Sequence, residues 1–184
     1  RVLFRSLDIE WLTSGGTAHD NVLIALDSTG QLLSYSPTFF ADAQQLVTEG
    51  RWVRPVALAV FRSNIYVLDQ GANQIWRYVP PAGGRAYSNA PEEYFNGATL
   101  PDLSDAVDFG ISEEGAIYVL FRDGTVKRYR RNVQAIVEEQ PFELREAPSN
   151  VLTSGAALFV DNDPLSRQLY IVDPESDAVY ETLW

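Results

Sequence analysis

The amino-acid sequence predicts an all-β protein, a β-propeller made of four blade-like repeats. Three observations lead there. One pair of short apolar segments flanking a turn recurs four times along the 184 residues. The recurrence has the spacing of a propeller blade. Aromatic residues are plentiful (nine Phe, nine Tyr and four Trp), as suits pleated sheets packed face to face, and helical periodicity is confined to one turn near Phe39 to Leu46.

The first copy of the pattern is Leu23-Ile24-Ala25-Leu26-Asp27, a Ser-Thr-Gly turn, then Gln31-Leu32-Leu33-Ser34-Tyr35. The second is Ile65-Tyr66-Val67-Leu68-Asp69 followed by Gln74-Ile75-Trp76-Arg77-Tyr78. The third is Ile117-Tyr118-Val119-Leu120-Phe121 followed by Thr125-Val126-Lys127-Arg128-Tyr129. The fourth is Leu169-Tyr170-Ile171-Val172-Asp173 followed by Ala178-Val179-Tyr180-Glu181. Starts at 23, 65, 117 and 169 give spacings of 42, 52 and 52, at or just beyond the roughly 40–50 residues of a four-stranded blade.

Each copy reads as a β-hairpin. Its first strand is apolar throughout, as a strand covered on both faces must be. Its turn carries Gly, Asp or Asn where a positive φ is required, most clearly at Asp123-Gly124. Shorter apolar stretches precede the hairpins at Leu7 to Leu12, Val56 to Phe61, Ala106 to Ile111 and Ala156 to Val160. Their small residues suit the crowded centre of a radial array and mark them as innermost strands. Weaker, more polar strands follow at Ala43 to Val47, Glu93 to Phe95 and Val133 to Glu138. The predicted repeats run 6–50, 51–100, 101–146 and 147–184 within a single domain, 1–184. They form either a closed four-bladed ring, with Arg1 to Arg5 completing the last blade and removing its open edge, or a portion of a larger propeller. The chain has no Met and opens on Arg1, which predicts that residues precede it.

Ile65-Tyr66-Val67-Leu68-Asp69, with Asn73, Ile75 and Tyr78 after it, resembles the NHL and YWTD group of propeller repeats, often six-bladed. Leu169 to Asp173 repeats the motif. The third unit departs from it, with Phe121 in place of the Asp. That unit is similar instead to hemopexin-like blades, through Asp105-Ala106-Val107, Ile117-Tyr118-Val119 and Arg128-Tyr129. Hemopexin-like rings have four blades but are usually tied by a disulfide, which a chain without cysteine cannot form. The resemblance implies a fold and no activity, because function resides in sites carried by a fold.

Composition narrows the function classes. Net charge is −11, which repels phosphate backbones and anionic lipid and argues against nucleic-acid and membrane partners. No apolar run approaches the ~18 residues of a membrane helix, and no leader pattern opens the chain. Absence of cysteine removes thiolate catalysis and Cys-ligated zinc. No glycine-rich phosphate loop or P-loop is present, so no cofactor is expected.

His19 is the only histidine. With Ser14 and Asp20 it spells a Ser-His-Asp set, but neighbours in one polar loop do not converge in triad geometry and no strained nucleophile turn accompanies them. Its solitude argues against histidine-dependent propeller enzymes such as streptogramin-lyase-like ones. The pairs Asp102/Asp105 and Asp161/Asp163 offer oxygen ligands for calcium, against which stands ordinary turn capping by Asp. Lactonase-like propellers use acidic and Asn ligands, which keeps an enzyme open. The basic run Lys127 to Arg131 faces Glu138, Glu139 and Glu143, and reads as a neutralised outer arm.

The binding face is expected where blade connections and the turns between second and third strands gather. Arg51, Trp52 and Arg54 in one connection have the residue types enriched at binding hot spots, although Trp52 also suits a plug between blades. Asp102 and Asp105 in the next connection, and Arg122 in the third hairpin turn, join the same predicted rim. The reading is therefore a non-enzymatic recognition module, not an enzyme, binding a protein, peptide or glycan through that face. Two alternatives accompany it: a structural subunit completing a larger propeller or complex, and a calcium-dependent propeller hydrolase or lactonase.

Overall fold

A computed structural model describes residues 9–15, 22–27, 31–35, 44–46, 51–80, 90–133, 136–144, 152–163 and 165–184. The fold is all-β: four antiparallel sheets in the arrangement of a β-propeller, each meandering in chain order. The chain divides into two compact units, Arg1–Tyr94 and Phe95–Trp184, with two sheets in each.

In unit 1 the first sheet is β1 (Ile9–Gly15), β2 (Val22–Asp27), β3 (Leu32–Tyr35) and β4 (Gln44–Gln45). The second is β5 (Pro55–Phe61), β6 (Asn64–Asp69), β7 (Gln74–Tyr78) and β8 (Glu92–Glu93). Unit 2 holds β9 (Ala106–Ile111), β10 (Ile117–Phe121), β11 (Val126–Arg131) and β12 (Val137–Gln140), then β13 (Ala157–Val160), β14 (Gln168–Asp173) and β15 (Ala178–Leu183). The predicted strand at Arg1 to Arg5, the His19 loop and most of the Phe39–Leu46 turn lie outside the described residues.

Strand alternation explains how the sheets stack. Successive side chains of a strand point to opposite faces. In unit 1 the second and fourth positions of the first motif, Ile24 and Leu26, pack against the first and third of the next, Ile65 and Val67, with Leu58 and Trp76. In unit 2 the same rule holds: Tyr118 and Leu120 pack on Leu169 and Ile171, with Leu158 and Val160. Within each unit one face of a motif thus packs on its neighbour, which calls for apolar residues there; in the fourth motif the other face is open, with Val172 exposed. Burying each such side chain contributes roughly 1.5–3 kcal/mol.

The aspartate that closes the motif locks the hairpin to the segment leading into its own blade. Asp69 is fully buried. Its Oδ1 accepts the N–H groups of Arg54 (2.8 Å), Gly71 (3.1 Å) and Ala72 (3.2 Å). Its Oδ2 accepts Val53 N–H (2.9 Å) and the Trp76 indole N–H (3.1 Å). Asp173 repeats the device on Thr153 (3.0 Å), Glu175 (2.9 Å) and Ser176 (3.3 Å). Burial raises the Asp173 carboxyl, but these N–H groups and that of Ser154 outweigh it and hold the group below its ordinary range. In the third blade Phe121 cannot do this. Only the backbone bond that the second blade also has remains there, Arg122 N–H to the Asp105 carbonyl at 2.9 Å, matching Gln70 N–H to the Arg54 carbonyl at 3.0 Å.

Several boundaries differ from expectation for local reasons. The outer strand of the second blade stops at Glu93 because Tyr94 and Phe95 turn into the interior and are buried. That of the third begins at Val137: Val133 stands in an exposed turn, and Asn132 Oδ1 caps Ile136 N–H at 3.0 Å. Positive φ occurs at Asn73, Asp177 and Gly124, as turn chemistry requires, but also at Arg62 and Ser63. These last two make a tight β5–β6 turn without a Gly or Asn to announce it.

Gly155 shows how closely the blades of unit 2 approach. A Cβ there would stand 2.5 Å from the Phe121 carbonyl oxygen and 2.8 Å from Leu120 Cδ1. A backbone carbonyl cannot swing aside. Gly155→Ala is therefore expected to cost about 2 kcal/mol, read as a lower urea midpoint with an unchanged slope. An unaltered midpoint would mean that the approach is looser than described.

Candidate functional site

The six predicted site residues are divided between the two units. Asp102, Asp105 and Arg122 line one open cleft of about 580 Å³ in unit 2, while Arg51, Trp52 and Arg54 belong to unit 1.

The unit 1 group is built into its surroundings. Trp52 packs on the core cluster of that unit and meets Tyr78 edge-on at 6.1 Å between centroids. This is the plug geometry weighed for it. The Arg51 guanidinium lies 5.8 Å from the Trp76 ring centroid and 3.8 Å from a Glu93 carboxylate oxygen. Arg54 is exposed, and its backbone N–H is held by Asp69.

Three segments build the unit 2 cleft: the connection into β9, the β10–β11 turn, and the residues around the fourth blade's aspartate. Leu103 is fully buried and anchors the first, leaving Asp102, Ser104 and Asp105 exposed on either side. Asp102 Oδ1 accepts Ser104 N–H at 3.0 Å. That bond and the Ser104 hydroxyl, with a smaller contribution from Lys127, hold the Asp102 carboxyl below the ordinary range, so it stays ionised at neutral pH. The turn presents Arg122 and Asp123, with Asp123 Oδ1 capping Thr125 N–H at 2.9 Å. From the fourth blade come Thr153, whose hydroxyl donates to Glu175 Oε2 at 3.2 Å, and Glu175 itself.

Two cations line a cleft otherwise dominated by carboxylates. Lys127 is 3.5 Å from Glu139 and 5.4 Å from the Phe121 ring centroid. Arg122 has no ion-pair partner among the described residues. Lys127 was set aside with the neutralised outer arm, yet it lines the cleft; Arg130, from the same run, pairs at 3.6 Å with Glu114 instead of a β12 glutamate. Lys127, Asp123, Thr153 and Glu175 were missed because each reads locally as a turn or strand-edge residue. Only the packing of the fourth blade on the third brings Thr153 and Glu175 to Asp102.

Neither predicted aspartate pair belongs to a cluster of three His, Cys, Asp or Glu side chains among the described residues. Asp161 spends Oδ2 on the Ser166 hydroxyl (2.5 Å) and Oδ1 on Asp163 N–H (2.9 Å), and Asp163 caps Leu165 N–H (2.9 Å). These are turn bonds. No helix among the described residues is long and apolar enough to cross a membrane.

No family model matches the chain, and no curated protein matches it by sequence. Solved structures do match it in fold. A streptogramin B lyase aligns with a TM-score of 0.55 at 11% identity, covering 99% of this chain and 57% of that one. A catalytically inactive virginiamycin B lyase from Staphylococcus aureus, solved with quinupristin, gives 0.52 at 10% over 97% and 58%. A structure described as a putative gluconolactonase gives 0.58 at 15% over 97% and 60%. The chain thus spans about three-fifths of the length of these structures. At such identities the likeness establishes a propeller-like repeat fold and does not single out the NHL or YWTD group.

These matches correct the expectation of a non-enzymatic module for protein, peptide or glycan recognition, and with it the expectation that the chain is not an enzyme. The propellers sharing its fold here are lyases and a lactonase-type protein. Scarcity of His and Cys was weighed as evidence against catalysis, but carboxylates beside a guanidinium can do acid–base and electrostatic work without either. Two of the matches are of the streptogramin-lyase kind that the lone histidine argued against; they share architecture with this chain, and His19 lies outside the described residues.

Proposed function

We propose that this protein is a propeller enzyme that opens an ester or lactone bond in the unit 2 cleft. The observation that carries the reading is the fold likeness to lyase and lactonase-type structures over at least 97% of the chain. The cleft supports it chemically, since it sets carboxylates against two cations in a concave space large enough for a small substrate.

In this reading the Asp105 carboxylate takes a proton from water as the oxygen adds to the substrate carbonyl carbon. The negative charge that develops on the carbonyl oxygen is met by Arg122, with Lys127 adding to the field. Collapse of the adduct breaks the carbon–oxygen bond to the leaving group, which recovers the proton from Asp105, and a hydroxy acid is released. Asp102 remains ionised and binds substrate hydroxyls, as Thr153 and Glu175 also do. No step passes through a metal.

Glucono-1,5-lactone is the first substrate to test, by proton release in a weakly buffered indicator assay. Turnover is expected both with chelator and with added calcium. Arg122→Ala is expected to lower kcat about 100-fold, the scale of a lost oxyanion partner, and Asp105→Asn comparably, with melting unchanged. Absence of turnover on this and on simple aliphatic and aromatic lactones would overturn the reading.

A further inference from the structure

A second cleft of unit 2, of about 610 Å³, shares no lining residue with the first. Arg128 on β11, the segment Phe142-Glu143-Leu144 beyond β12, and Leu183 and Trp184 at the end of β15 surround it. Aromatic and aliphatic walls with a few polar groups are the usual composition of a small-molecule site. The rings are held in place. Trp184 Nε1 donates to the Asp161 carbonyl at 3.1 Å, and the Arg167 guanidinium lies 5.6 Å from the indole centroid. Phe142 meets the buried Tyr118 ring edge-on at 5.1 Å, and Trp184 meets the same ring at 6.2 Å.

Two polar groups here lack what burial demands. Arg128 Nε and the Tyr118 hydroxyl are buried with no hydrogen-bond partner among the described residues, as Arg77 Nε is elsewhere. On the same strand Lys127 and Arg130 each have a glutamate, whereas Arg128 has no ion pair among the described residues. Its guanidinium carbon lies 5.8 Å from the Tyr118 ring centroid. An unneutralised guanidinium at an aromatic cleft, in a chain of net charge −11, is a directed preference for one anionic group. Glu143 on the same cleft works against a second.

We propose that this cleft binds a small molecule consisting of an aromatic ring system with a single carboxylate. The rings lie against Phe142, Leu183 and Trp184, where they displace water from apolar surface. The carboxylate takes the Arg128 fork, whose planar donors match two carboxylate oxygens. This site is independent of the lactone reaction: the two clefts have different walls, and a monocarboxylate bound here acts as a ligand and not as the reacting substrate.

The test is calorimetric titration with 2-naphthoate against its neutral analogue 2-naphthylmethanol. The acid is expected to bind at least about tenfold more tightly, a difference of about 1.4 kcal/mol. Arg128→Gln is expected to abolish that preference, and Arg122→Ala, in the other cleft, to leave it intact. Equal affinity for acid and alcohol, or no binding of the acid, would overturn the proposal. So would a preference that survives Arg128→Gln or disappears with Arg122→Ala. If Arg128→Gln fails to fold by circular dichroism, the wild-type ratio and its response to Phe142→Ala decide: a loss of affinity for both compounds supports the site, and unchanged affinity contradicts it.

Discussion

Asp69→Ala is expected to destabilise the protein by on the order of 4 kcal/mol or more, a large part of the stability of a typical domain. The carboxylate accepts five donors, four backbone N–H groups and the Trp76 indole N–H. Alanine leaves the Trp76 indole N–H buried without its partner and strips four part-buried N–H groups of theirs, each group left unsatisfied costing about 1–3 kcal/mol. The segment Val53–Arg54 then keeps only the backbone bond from Gln70 N–H to the Arg54 carbonyl (3.0 Å) as its tie to the β6–β7 turn. Asp69→Asn keeps the shape and one acceptor oxygen but turns an amide toward N–H donors, so an intermediate loss is expected. Urea unfolding monitored by tryptophan fluorescence reads both. A loss below about 1 kcal/mol for the alanine variant would show that the clamp contributes little.

The second large effect is a fall in stability as pH rises from about 4 to 7, caused by Asp108. This residue of β9 is only 4% exposed. Its carboxylate oxygens accept Phe109 N–H at 2.8 Å and Leu158 N–H at 2.7 Å, so it clasps the innermost strands of the third and fourth blades. Burial outweighs these two bonds and pushes its pKa up to about 7. Below pH about 4 the folded and unfolded chains both hold the proton, and the stabilisation is fully present. Between 4 and 7 the folded state keeps a proton that the unfolded chain has released, so stability declines with slope set by that difference. Three pH units correspond to about 4 kcal/mol. Asp102, Asp161 and Asp173, all held below the ordinary range, act oppositely and further down: their contribution is lost only as pH falls through their lowered values. The expected profile has its optimum near pH 4–5. Asp108→Asn should flatten the decline between 5 and 7.5, and an unchanged slope in that variant would assign the decline elsewhere.

Much of the fold was legible because the blade writes itself into local sequence. Ile65 to Leu68 has an apolar residue at every position, which only a strand covered on both faces requires, and the same grammar at Ile117 and Leu169 gave the repeat. Turns with Gly, Asn or Asp were equally local. The Arg62-Ser63 turn was not legible, because its conformation is imposed by strand twist across a two-residue link. The inward turn of Tyr94 and Phe95 was likewise invisible, since aromatic residues serve a strand and a core plug equally well.

The candidate cleft was legible in part, and the division has a physical cause. Asp102, Asp105 and Arg122 stand in connections whose position on a blade is predictable from the repeat. Thr153 and Glu175 join them only because Asp173 pins Thr153 beside its own turn, a tie that spans twenty residues. Trp52 was read two ways, as a binding residue and as a plug, and it packs on the core cluster of unit 1 and on Tyr78.

The central claim is that the unit 2 cleft is where chemistry occurs, and hydrogen exchange with and without saturating gluconate, the hydrolysis product of the test lactone, addresses it most directly. The account predicts slowed exchange in 102–105, 121–125, 153–155 and 173–176, lost in Arg122→Ala. Protection confined to 51–54 and its surroundings in unit 1, or none at concentrations that inhibit turnover, would contradict it.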